Sequence, residues 1–76
     1  MKVNVFLDMV YEWLVEPMNR DIEDLHYHWA ETLDEQDFNQ KIREFLEQRY
    51  IQMFNRKADS RFIIYATKQY IKEMFS

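Results

Sequence analysis

The chain contains no cysteine, no glycine and a single proline, and it has no long uninterrupted apolar run. Without cysteine there is no disulfide framework, no thiol nucleophile and no thiolate zinc site, and the lack of a long apolar run leads us to expect a cytoplasmic setting. Without glycine, a left-handed helix cap has to fall to a residue such as asparagine. The opening segment is broken by Asp8 and Glu12, and its apolar runs fall far below the ~18 residues that read as a bilayer span. No membrane partner is therefore expected. The initial Met1 and the lack of an affinity tag lead us to expect a complete small reading frame rather than a domain cut from a larger enzyme.

Aromatic and acidic residues are plentiful. Thirteen aromatic rings in 76 residues, within an apolar content of 47%, are too many for a disordered tail. They imply an aromatic core, or a core plus one adhesive face, because rings cannot all point inward in so small a domain. A chain of this size buries only ~60–65% of its unfolded surface. One domain over residues 1–76 is expected, with a monomer stability of about 3–5 kcal/mol. Charge is uneven: residues 1–37 carry ten acidic and two basic side chains, and residues 38–76 carry four acidic and eight basic. This asymmetry is the most informative surface feature.

The longest segment with one period is Asp34 to Asn55, where Phe38, Ile42, Phe45, Leu46, the Arg49 stem, Met53 and Phe54 mark one buried helical stripe. Asp34 suits the N-cap, and Leu33 and Phe38 suit a hydrophobic staple. Asn55, Arg56 and Lys57 mark the end. Upstream, residues 3–15 read as a helix with Val3, Phe6, Leu7, Val10, Trp13 and Leu14 inward, stopped by Pro17. A second helix over 18–32 has Met18, Ile22, Leu25, Trp29 and Leu33 as its stripe, with Asn19 and Asp21 as competing caps. A last helix over 60–75, capped by Asp59, carries Ile63, Ala66 or Thr67, Tyr70 and Met74. The expected fold is all-α, a small compact bundle of three to four helices with boundaries near 3–15, 18–32, 35–55 and 60–75.

No catalytic constellation or cofactor motif is visible, and no metal site or cofactor is expected. His26 and His28 diverge on a helix and read as a solvent-facing or boundary pair rather than as ligands. So small a core offers little room for a cleft of ~300 Å³ or more. Protein binding fits the most features, through an acidic aromatic surface built from Tyr11, Glu12, Glu23, Asp24, Tyr27 and Glu31. Trp13 and Trp29 read as core fillers. The dense acid could also imitate DNA. The alternative is nucleic-acid binding by Arg56, Lys57, Arg61, Tyr65, Lys68 and Lys72, a basic strip holding one ring. Opposite signs in the two halves also admit a self-complementary homodimer. Size and class are shared with phage and plasmid accessory proteins, immunity proteins and anti-regulators, but no family resemblance rests on the residues.

Overall fold

The computed structural model describes residues 3–76. Four helices follow one another: α1 (Val3–Val15), α2 (Arg20–Thr32), α3 (Glu35–Phe54) and α4 (Ser60–Met74). Their ends follow from local chemistry. Asn19, rather than Asp21, caps α2 by accepting the Ile22 N–H at 2.9 Å, and Asp34 caps α3 by accepting the Asp37 N–H at 2.8 Å. Asp59 accepts the Arg61 N–H at 2.8 Å at the start of α4. Asp21, Glu23, Glu35 and Asp37 lie in the first turns of α2 and α3, where negative charge complements the helix dipole.

Helix α3 stops at Asn55, which takes the left-handed conformation (φ 56°, ψ 35°) and donates its N–H to the Ile51 carbonyl. In a glycine-free chain this is the residue that tolerates such a cap. Pro17 sits in the α1–α2 connection, and with the extended Asn19 as its cap α2 begins at Arg20 and not at 18. Met18, expected on the α2 stripe, is buried from that connection instead.

The resulting bundle is organised on α3, which packs against each of the other helices, while α1 also packs on α4. Phe38, Ile42 and Leu46 recur every four residues on the buried side of α3, and Ile42 and Leu46 are wholly enclosed. From α4, Phe62, Ile63, Ala66 and Tyr70 complete this core. Leu33 and Ala58, each just before a helix cap, pack against the same cluster.

Two helices are rotated relative to the sequence expectation. On α1 the inward residues are Leu7, Tyr11 and Leu14, whereas Phe6 and Trp13 are 53% and 50% exposed. The reading of Trp13 as a core filler is thereby corrected. Val3 lies outside the described side chains. On α2, His26 replaces Leu25 inside: the histidine is completely enclosed and the leucine is exposed.

Hydrogen bonding supplies a reason for both rotations. Tyr11 Oη donates to Glu73 at 2.6 Å, and His26 Nδ1 lies 2.6 Å from Tyr70 Oη. Tyr27 Oη donates to the Met74 carbonyl at 2.9 Å, and Tyr65 Oη donates to Asp8. Tyrosine hydroxyls therefore link α4 to both α1 and α2. A phenol buries its ring while its hydroxyl still requires a partner, so these links specify which side of each helix faces inward.

Replacing the enclosed Leu46 by alanine should cost about 2–5 kcal/mol through lost transfer energy and a residual cavity. Against a stability of about 3–5 kcal/mol, urea denaturation should show Leu46→Ala largely unfolded or with a strongly lowered midpoint. Gln48→Ala, on the exposed side of the same helix, should stay within about 0.5 kcal/mol of the parent.

Candidate interaction surfaces

The acidic half divides into an enclosed and an accessible set. Tyr11 is only 4% exposed, so its assignment as a surface anchor is corrected: α1 turns the ring toward α4, where it meets Tyr65 edge-on. Burial and the hydrogen bond to Glu73 push its phenol pKa well up, which keeps the hydroxyl protonated as a donor. Glu12 is exposed on α1. On α2, Glu23, Asp24, Tyr27 and Glu31 are all exposed; Asp24 and Glu31 face away from the inward Ile22, His26 and Trp29, while Glu23 and Tyr27 border a cleft against α4 with Tyr70, Glu73 and Met74. The Tyr27 ring is partly committed, standing edge-on to Phe75 at 6.2 Å.

Sequence reasoning overlooked the outer side of α1. Phe6 and Trp13 stand two turns apart on one flank, with half-buried Met9 and Val10 between them. Glu12 and Glu16 are exposed on the same helix and the turn that follows it. Phe6 and Trp13 fall in the broad apolar stripe that also holds Leu7 and Leu14, and their stripe positions point inward on spacing alone.

The basic strip is also redistributed. Arg56 and Lys57 are exposed in the α3–α4 connection, beyond the end of α3, while Arg61, Lys68 and Lys72 form an exposed ridge along α4. Arg61 lies against Asp59, at 3.4 Å. Tyr65, expected to offer a stacking ring, is half-buried and turned to α1, where its hydrogen bond to Asp8 holds its pKa up at about 12. The exposed large apolar residue of α4 is instead Ile64, with the exposed C-cap Phe75 just beyond the helix end against Tyr27 and Phe38.

The expectation of no cleft is corrected by two open grooves between helices. One, of about 680 Å³, runs over the start of α3 and along α4, lined by Asp34, Glu35, Asn39, Arg43, Ile64 and Lys68 among others. The second, of about 440 Å³, is more apolar and is lined by Phe6, Leu7, Val10, Tyr50 and Phe62, with Asp59 and Arg61 at its lip. Phe6 therefore borders a trough rather than standing alone.

His26 occupies no groove. The expectation of a solvent-facing or boundary histidine holds for His28, which is exposed, and fails for His26. Its ring is enclosed by Phe45 at 4.4 Å, Trp29 at 5.1 Å and Tyr70 at 5.4 Å between centroids. Phenol is the stronger acid and imidazole nitrogen the stronger base, so we assign the shared proton to Tyr70 Oη, donating to Nδ1. Nε2 then carries the remaining hydrogen and has no hydrogen-bond partner. Among the described residues, no group of three or more histidine, aspartate or glutamate side chains is placed to hold a metal ion. Among the described residues, too, no helix is long and apolar enough to cross a membrane.

Comparison with known proteins gives no matching family model, no matching curated protein and no matching solved structure.

Burial pushes the His26 pKa down to about 4 from an ordinary value near 6.5. Between these values the unfolded chain takes up a proton that the folded chain refuses, so stability falls as the pH drops through this window. Above pH 6.5 both states are neutral and the effect vanishes. Denaturation at pH 7 and pH 4.5 should show the parent losing about 2–3 kcal/mol more than His26→Leu, whose carboxylates are the same. Identical losses in the two proteins would contradict a sealed neutral imidazole.

Proposed function

We propose that the chain is a non-enzymatic interaction protein, acting in the cytoplasm as an inhibitor, adaptor or regulator, and that it docks a protein partner through an acidic, ring-bearing surface. The observation that carries this reading is the half-exposure of Phe6 and Trp13 on one flank of α1, beside Glu12 and Glu16. Large aromatic side chains on a surface are costly to leave in water and are the residue types that anchor interfaces. Carboxylates around them steer encounter and favour a partner whose apolar socket is rimmed by lysine or arginine. Helix α1 holds Asp8 and Glu12 and no basic residue, so its field has one sign. Glu23, Asp24, Tyr27 and Glu31 on α2 extend the acidic character.

Nucleic-acid binding by Arg56, Lys57, Arg61, Lys68 and Lys72 is the second reading, favoured by the exposed ridge on α4. It ranks lower because Tyr65 is engaged with Asp8, Arg61 faces Asp59, and the chain as a whole is acidic. Phosphate contacts would have to carry it without a stacking ring at that position.

Affinity capture from the native cell type separates these readings when the parent is compared with Phe6→Ser/Trp13→Ser. The parent should retain a protein partner that the double variant loses while keeping its helical circular dichroism, and high salt should weaken the retention. Equal retention by both proteins, or repeated recovery of nothing, would count against the α1 surface. Titration with single- and double-stranded DNA and RNA at low salt should give no saturable binding. Binding abolished by Arg61→Ala/Lys68→Ala would put the second reading first.

A further inference from the structure

The outer sides of α1 and α4 are complementary in charge and similar in length, and each bears exposed apolar surface. Helix α4 presents Arg61, Lys68 and Lys72 together with exposed Ile64, and its C-cap Phe75 stays 60% exposed although one edge of the ring meets Tyr27 and Phe38. Helix α1 presents Phe6 and Trp13 with Glu12 and, just beyond its end, Glu16. At 1.5 Å per residue, the 13-residue α1 and 15-residue α4 both run for about 20 Å. We infer that the partner seated on α1 is a second copy of this chain, presenting its α4.

Unused charge supports that occupant. Although α1 and α4 are neighbours within the subunit, Glu12, Glu16, Lys68 and Lys72 make no ion pair among the described residues. They remain available to complementary groups on another molecule. Pairing α1 with a second α1 would instead oppose carboxylates with carboxylates, which is unfavourable. Because α1 and α4 adjoin, a twofold axis can bring α1 of each copy to α4 of the other, so that both contacts form together and the assembly closes. The apolar residues supply attraction, and the opposite charges select this pairing over α1 with α1.

This inference rests on α1 being a docking face, and the test separates the two claims. Sedimentation across a concentration series should show reversible association that weakens as salt rises. Charge reversal by Glu12→Lys/Glu16→Lys, or separately by Lys68→Glu/Lys72→Glu, should raise the dissociation constant at least about tenfold. All four positions are exposed, and circular dichroism should show both variants folded. An equimolar mixture of the two variants should associate again, because each reversed face then meets its opposite.

A parent that stays monomeric throughout, variants that associate like the parent, or a mixture that is not restored would overturn the second copy as occupant. A synthetic leucine–lysine amphipathic peptide then decides what fails with it. Binding to the monomeric parent but not to Phe6→Ser/Trp13→Ser would leave the α1 docking face standing, while no binding to either would remove that reading too.

Discussion

Tyrosine hydroxyls that need a hydrogen-bond partner at the surface of α4 set the rotation of the acidic helices. Tyr11 reaches Glu73, Tyr65 reaches Asp8, Tyr70 meets His26, and Tyr27 reaches the last turn at Met74. A buried phenol or imidazole left without a partner would cost about 1–3 kcal/mol, a large fraction of the stability of so small a domain. Rotating α1 to bury Phe6 and Trp13 would draw Tyr11 away from Glu73. Hydrogen bonding thus selects among several packings that apolar burial alone would allow.

The division between what could and could not be read from the sequence follows from that selection. Asn19, Asp34, Asn55 and Asp59 act over a few residues of backbone, so the helix limits were legible to within two residues, although the choice of Asn19 over Asp21 as the α2 cap was not. Except at the end of α3, where Met53, expected inside, is 41% exposed, the stripes of α3 and α4 were legible, since Phe38, Ile42, Leu46, Ile63 and Ala66 offer one apolar face. Helix α1 offers two: Phe6, Val10 and Trp13, or Leu7, Tyr11 and Leu14, each spaced four and then three. Hydrophobicity favours the first set; the partner waiting at Glu73, more than sixty residues away, favours the second. For the same reason His26 was misjudged, because its place in the series Ile22, His26, Trp29 is regular but its partner lies on α4.

The rotation has a direct consequence at the surface. Burying Tyr11 and His26 leaves Phe6, Trp13 and Leu25 outside, on helices whose charges are mostly negative. Phe6 and Trp13 therefore stand in a field of carboxylates, whereas Trp29 packs against the core. The same accounting redistributes the basic half: Tyr65 is drawn toward α1, leaving Ile64 on α4 and Phe75 at its C-cap as the exposed apolar residues. Two amphipathic outer faces of opposite sign result from one set of cross-helix bonds, and both candidate interactions depend on them.

Acrylamide quenching of Trp13 fluorescence in dilute Trp29→Phe protein addresses this rotation most directly. The structure predicts a half-exposed indole, quenched far more readily than a core tryptophan though less than one in a short peptide. A folded protein whose Trp13 is shielded like a core residue would mean that α1 is turned the other way, and the acidic docking face would go with it.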